Sequence, residues 1–98
     1  METAFHHAGT LFFDPEDRIY MDHFPGNPVV PGSLIIHAFL RVHGVLEHPG
    51  NPVQAENFRF KHFVSPGEYQ YEMTKNDNVI RCRLFDKSRM LVTGNLVL

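Results

Sequence analysis

The chain has little of what several classes of protein require. It contains one cysteine, Cys82, so no disulfide can form within it and a metal site built from several thiolates is excluded. Its 9 Lys and Arg residues face 11 Asp and Glu residues, which gives a formal net charge of -2. The basic residues do not form a run. Because a nucleic-acid binder needs clustered Lys and Arg to neutralise phosphates, we expect no nucleic-acid partner.

Long apolar segments are also missing from the sequence. No stretch approaches the roughly 20 apolar residues that a membrane span requires, so we expect no membrane partner. Residues 1–7 lack the charged-then-apolar order of a secretory signal peptide. Together with the single cysteine, this favours a cytoplasmic protein.

The length and composition fit one domain, which we place at residues 1–98. A chain of 98 residues buries only roughly 60–65% of its unfolded surface, so its core is thin. Nine Phe and three Tyr residues in so short a chain suggest that a partner subunit completes the burial of apolar surface.

One helix is predicted, at residues 33–48. Apolar residues occupy most of its circumference, so we expect it to be buried on most sides. Ser33 is the predicted N-cap, and Pro49 with Gly50 ends the segment. The loop before the helix contains three prolines, which exclude both a helix interior and a central strand.

The remaining segments alternate as strands and turns. Residues 10–13 read as a strand, residues 14–17 as a turn, and residues 18–23 as an extended segment. Phe58 and Phe60 alternate with Arg59 and Lys61, as in a half-buried strand.

Three further strands follow at residues 69–74, 79–85 and 90–98, joined by turns at residues 76–78 and 86–88. They predict an antiparallel meander and, with the buried helix, an α+β architecture. We expect a dimer in which the meander edges of two protomers join.

The pattern of Pro and Gly before the helix is distinctive. Residues 23–34 read His-Phe-Pro-Gly-Asn-Pro-Val-Val-Pro-Gly-Ser-Leu. This resembles the active-site segment of bacterial 3-hydroxyacyl-acyl carrier protein dehydratases, His-Phe-Pro-Gly-x-Pro-x-x-Pro-Gly-x-Leu. Residues 58–61 and 64–67 look like the strand and turn that follow the helix in that family. The resemblance covers about residues 9–98 and implies a hotdog fold, in which a curved antiparallel sheet wraps one long helix.

The resemblance also implies a site that binds an acyl thioester of acyl carrier protein or coenzyme A at the interface of a homodimer. Higher oligomers and a heterodimer with a paralogue are alternatives. His23 is the candidate base, because imidazole titrates near neutrality. The Gly32 N–H, at the start of the helix, is the candidate donor to the thioester oxygen. The expected substrate-binding residues are Phe24, Pro31, Ser33, Ile35, Phe39 and Arg41, and the acyl tunnel is expected to pass Phe24, Ile35 and Phe39.

The sequence departs from the family pattern on the helix. The family has Asp or Glu fourteen residues after the histidine, where this chain has His37, and Arg41 stands where a Gln is common. Loss of a general acid lowers a rate by about a hundred- to ten-thousand-fold. His37 replaces that acid only as imidazolium, which Arg41, one turn along, disfavours. Asp22, where the family has Gly, would offset Arg41 if it reached the site.

Two hypotheses remain open on this evidence. One is a dehydratase that uses His23, Gly32 and His37; the other is a weakly active or silent subunit that binds acyl thioesters and pairs with an active paralogue. A hotdog thioesterase is a more distant third. No cofactor is expected, and no metal, since His37, His43 and His48 are not spaced to stack on one helix face. His48 and His62 are expected in solvent, and Cys82 in the core.

Overall fold

The computed structural model describes residues 4–18, 28–46 and 53–98, in which one helix and five strands are found. The helix is α1 (Gly32–Leu46). The strands are β1 (Ala4–Phe13), β2 (Gln54–Phe60), β3 (Gly67–Asn76), β4 (Val79–Asp86) and β5 (Arg89–Val97). They form one antiparallel sheet in the order β1-β3-β4-β5-β2. No helix of this described part is long and apolar enough to span a membrane.

The predicted meander β3-β4-β5 is confirmed, and its two turns are tight. Asn76 pairs with Val79 and Asp86 pairs with Arg89, which leaves two-residue loops. The first loop residue is Asp77 in one turn and Lys87 in the other, and both take the left-handed backbone region, with φ of 55° and 58°. Such φ values match the twist of hairpin strands.

The meander does not supply the edges of the sheet. Strand β1 pairs with β3 from Ala4↔Asn76 to Phe13↔Gly67, and β2 pairs with β5 from Gln54↔Val97 onward. The expectation that meander edges join two protomers is therefore wrong, because β1 and β2 occupy both of those positions. Among the described strands, the edges of the sheet are β1 and β2.

The helix packs on the sheet through one stripe of its surface. Ile35, Phe39 and His43 are spaced by four residues and are all buried, while Ser33, His37 and Arg41 are exposed. Full burial of side chains such as Ile35 and Phe39 stabilises the fold by about 1.5–3 kcal/mol each. The apolar residues on either side of the stripe are only half-buried, so the helix is less enclosed than its composition predicts.

The core on the sheet side comes from alternate residues of the meander. Its fully buried members are Met73, Ile80, Cys82, Leu84, Val92 and Leu96. Cys82 lies in this core, as expected, and burial raises the pKa of its thiol to about 12. A thiol held neutral in this way packs as an apolar group and is a poor nucleophile.

Aromatic rings close the space between sheet and helix by packing onto glycines. Phe58 lies so close to Gly94 that any side chain there would overlap its ring, and a methyl group at Gly9 would lie 3.0 Å from Tyr71. Phe39 contacts both rings, with centroids 6.2 Å from each. Glycine allows the strand backbone to approach the ring, a device that bends sheets.

Candidate functional site

The helix begins one residue earlier than its sequence predicts. The N–H groups of Leu34 and Ile35 both donate to the Pro31 carbonyl, at 3.0 and 3.2 Å, so Pro31 holds the cap position and Gly32 is the first helical residue. Ser33 lies inside the helix, and its prediction as N-cap is wrong. Proline suits the position before the helix because its fixed φ leaves the chain little freedom there.

This arrangement sets the direction of the Gly32 N–H. The Pro31 carbonyl and the Gly32 N–H belong to one peptide group, which is planar and trans, so they point in opposite directions. Because the carbonyl points into the first turn to accept its two hydrogen bonds, the N–H points away from the helix. As the first N–H of the helix it has no intrahelical acceptor, and the positive end of the helix dipole lies beside it.

Two contacts hold this helix start against the sheet. The Val30 N–H donates to the carbonyl of Val64, at 2.7 Å, and both side chains are buried. The ring of Phe60 covers Gly32, since a methyl group at Gly32 would lie 2.9–3.2 Å from three of its carbons. The chain before α1 is thus tied to the segment that follows β2.

A groove of about 220 Å³ lies between the end of β1 and the exposed side of α1. Its apolar wall is formed by Leu11, Phe12, Phe13, Leu34, Ala38 and Val42. His37 and Arg41 line it from the helix, and Asp14 and Asp17 line it from the turn after β1. The groove therefore combines an apolar wall with an imidazole, a guanidinium and two carboxylates.

The turn that carries the two aspartates is held by two hydrogen bonds. The Asp17 N–H donates to the carbonyl of Asp14 at 3.0 Å, and the Glu16 N–H donates to Asp14 Oδ1 at 2.9 Å. An aspartate that caps its own turn in this way keeps its second carboxylate oxygen available. The turn was predicted, but its place in a groove with His37 was not.

Comparison with known proteins identifies the family. Residues 2–94 match the family described as ApeI-like, ApeI dehydratase. The chain belongs to the ApeI-like dehydratase family. The predicted kinship with 3-hydroxyacyl-acyl carrier protein dehydratases is thereby confirmed.

Curated relatives agree with the family. The 3-hydroxyacyl-[acyl-carrier-protein] dehydratase FabZ of Campylobacter jejuni (strain RM1221) is 33% identical over 94 residues, which cover 83% of this chain and 64% of that protein. FabZ of Fusobacterium nucleatum subsp. nucleatum is 38% identical over 71 residues, which cover 66% of this chain and 50% of that protein. The chain thus spans less than two thirds of the length of these relatives.

Solved structures confirm the hotdog fold. The dehydratase heterocomplex ApeI:P from Xenorhabdus doucetiae superposes with a TM-score of 0.80 and 21% sequence identity, over 94% of this chain and 85% of that chain. An uncharacterized protein from Erwinia carotovora subsp. atroseptica has a TM-score of 0.76 and 16% identity, over 96% and 82% of the two chains.

The predicted site residues of this family member fall into four groups. His23 and Phe24, like Asp22, lie outside the described residues. Pro31, Gly32 and Ser33 form the helix start, and His37 and Arg41 share the groove. Ile35 and Phe39 are core residues with exposures of 1% and 0%, and the groove is lined by their neighbours Leu34, Ala38 and Val42. A tunnel past Ile35 and Phe39 remains a prediction.

The other histidines of the described residues do not line the groove. His62 is exposed, as predicted, with its Nδ1 2.8 Å from Arg89 Nη2. His43 is buried at 5% exposure, and its Nδ1 has no hydrogen-bond partner. His48 is outside the described residues. Within residues 4–18, 28–46 and 53–98, no group of three His, Cys, Asp or Glu side chains is placed to hold a metal ion.

Sequence reasoning missed Asp14, Asp17 and Phe60 as members of this region. The local sequence around these residues suggests only structural roles, because Asp14 and Asp17 lie in a predicted turn and Phe60 is one apolar position in a predicted strand. The only available signal was that Phe60 lies in the second segment resembling the dehydratases.

Proposed function

We propose that this chain acts in the dehydration of 3-hydroxyacyl thioesters, with Gly32, His23 and His37 as the reacting site. The observation that supports this best is the outward Gly32 N–H at the start of α1, in a chain matched to a dehydratase family over residues 2–94. A thioester oxygen that gains negative charge during α-proton removal needs such a preorganised donor.

The proposed reaction breaks two bonds of the substrate and forms one. His23 removes a proton from C2, negative charge develops on the thioester oxygen, and the Gly32 N–H donates to that oxygen. The C3–O bond then breaks as the C2=C3 double bond forms. The hydroxyl leaves as water after it accepts a proton from His37, so that a 2-enoyl thioester and water are the products.

His37 is the proposed acid because it lies in the groove at the position where the family has a carboxylate. Arg41 and the carboxylates of Asp14 and Asp17 line the same groove as His37. The groove as a whole contains more formal negative than positive charge, counting His37 as neutral.

The proposed substrate is an acyl chain carried as a thioester by acyl carrier protein or coenzyme A, in a fatty-acid or polyketide type of synthesis in the cytoplasm. FabZ relatives, named for hydroxyacyl groups on acyl carrier protein, support the first carrier. We further propose a homodimer, because α1 keeps half-buried apolar flanks and Phe12, Phe60 and Phe63 are exposed. No cofactor is required by this chemistry.

Turnover of 3-hydroxybutyryl thioesters on both carriers tests the proposal. Wild type should form the 2-enoyl thioester, His23→Ala should lose most of that activity, and Gly32→Val should lose it by closing the approach to the N–H. Long-chain acyl-pantetheine should raise the melting temperature of wild type, since a ligand that prefers the native state stabilises it, but not that of Gly32→Val. A full thermal shift in a correctly folded Gly32→Val variant would place the ligand elsewhere.

A second candidate is a subunit that works with an active paralogue. It is favoured by His37 in place of the family carboxylate, and by the structural likeness to a chain of the ApeI:P heterocomplex. In this case His23 of this chain would act with a carboxylate of the paralogue, in one working site per heterodimer. Co-purification with a paralogue that retains the carboxylate, and activity only in the mixture, would support this candidate over the first.

A further inference from the structure

The Phe60 ring has a role that follows from its place against Gly32. Gly32 lacks a Cβ, so its backbone would have more rotational freedom than any other residue at the start of a helix. The ring occupies the space where a Cβ would lie, with three ring carbons 2.9–3.2 Å from that point. The hydrogen bonds of the Pro31 carbonyl give the Gly32 N–H its direction, and the Phe60 ring limits how far the Gly32 backbone can turn away from it.

Phe60 is itself held in place. Its ring stacks on that of Phe58, with centroids 6.4 Å apart and planes at 25°, and Phe58 contacts the buried Phe39. The next residue, Lys61, donates its N–H to the carbonyl of Leu91 at 2.8 Å, which fixes the backbone beyond the strand. These contacts hold the ring of Phe60 in place, although the residue is 44% exposed.

We propose that Phe60 is a positioning residue of this site: its ring keeps the Gly32 N–H in the direction that the Pro31 hydrogen bonds give it, and so maintains the strength of its hydrogen bond to the thioester oxygen. The inference rests on the proposed role of Gly32. Phe60 touches Gly32 and acts through it. Since a misplacement of about 1 Å lowers a rate by up to about a hundredfold, loss of the ring should reduce kcat much more than it changes KM.

Phe60→Leu and Phe60→Tyr form the test pair. Leu removes the flat ring, whereas Tyr keeps it. We expect Phe60→Leu to lower kcat by about ten- to a hundredfold with KM changed less than about threefold, and Phe60→Tyr to remain near wild type. Tyr71→Leu is the matched control, because Tyr71 packs on Gly9 at 3.0–3.2 Å, close to the 2.9–3.2 Å of Phe60 on Gly32, but lies on β3, three strands from β2 in the sheet order. It should lower the melting temperature without lowering kcat.

The carbonyl stretching frequency of bound crotonyl-pantetheine, isotope-labelled at the thioester carbonyl, provides a second measurement that needs no turnover. Hydrogen bonding to the Gly32 N–H lowers this frequency. We expect the lowering to shrink in Phe60→Leu and to persist in Phe60→Tyr and Tyr71→Leu.

The outcomes separate the two proposals. If His23→Ala abolishes turnover while Phe60→Leu leaves both kcat and the carbonyl frequency unchanged, the positioning role is wrong and the dehydratase proposal stands. If wild type neither turns over nor binds the thioester, the proposed function fails and the role of Phe60 fails with it. Equal losses of kcat in Phe60→Leu and Tyr71→Leu would show that any loss of packing lowers kcat, and the positioning role of Phe60 would be wrong.

Discussion

Replacing His37 with glutamate and Arg41 with glutamine should convert the groove to the arrangement common in the family. In wild type both residues line the same groove, one turn apart on the exposed side of α1. Residues at this spacing have Cβ atoms about 5–6 Å apart, and two unit charges about 6 Å apart in a water-like medium interact by about 0.7 kcal/mol. Arg41 would thus lower the pKa of a glutamate at position 37 by about half a unit.

Asp14 and Asp17 act on that glutamate in the opposite direction. Both carboxylates line the groove, and like charges raise the pKa of a neighbouring carboxyl group. Arg41 works against this effect. Once Arg41 is replaced, the guanidinium that favours the ionised form is gone, and the pKa of Glu at this position rises toward the range useful for an acid catalyst.

We therefore expect the double variant to hydrate a crotonyl thioester at least about tenfold faster than wild type, a barrier change of roughly 1.4 kcal/mol. His37→Glu alone should gain less. The matched control is His37→Gln with Arg41→Gln, which has the same shape without an acid and should gain nothing. Adding His23→Ala to the double variant should erase the gain.

A wild type that is already faster than the glutamate variant would refute this reasoning. It would mean that His37 is a competent acid as it stands, and the inactive-subunit candidate would fail with it. If neither protein turns over although both bind acyl-pantetheine, the binding role would survive and the acid would be supplied from another chain.

Three further predictions concern the fold. Gly94→Ala should lower the free energy of unfolding by about 1–3 kcal/mol in urea titrations, because the added Cβ overlaps the ring of Phe58. Adding Phe58→Leu should restore part of this loss, and additive losses in the double variant would contradict the prediction. Burial raises the pKa of Cys82 from 9.0 to about 12, so between these pH values the unfolded chain loses a proton that the folded chain keeps. The free energy of unfolding should therefore fall as the pH rises through this range, by up to about 1.4 kcal/mol per pH unit. Thermal melts of Cys82→Val should show a smaller fall. Light scattering should show a dimer, whereas a stable monomer at micromolar concentration would contradict a site at the interface of a homodimer.

The local elements of this protein could be predicted from the sequence because their signals are local. Apolar spacing and the Pro-Gly segment predicted a helix at residues 33–48, against the observed Gly32–Leu46. Turn residues and period-two alternation predicted the three meander strands to within about two residues at each end. The dehydratase resemblance, which rests on consecutive residues, predicted the hotdog fold and the Gly32 position in the same way.

The long-range arrangement was decided only by the tertiary structure. Strand β1 begins at Ala4, six residues before the predicted strand, because pairing with β3 orders His6 and His7 where apolar alternation is absent. The pairing of β1 with β3 and β2 with β5 follows from burial of the whole sheet against α1. No pattern within either strand contains that information.

Part of the candidate site could likewise be predicted from the sequence, and part was decided only by the tertiary structure. The sequence by itself determined that His37 and Arg41 stand one turn apart on a helix that starts after a rigid Pro-Gly segment, since both features lie within one continuous stretch. Only the tertiary structure placed Asp14 and Asp17 across the groove from His37 and the ring of Phe60 against Gly32. Each of these placements brings together residues at least twenty positions apart, because sheet and helix must bury apolar surface against each other.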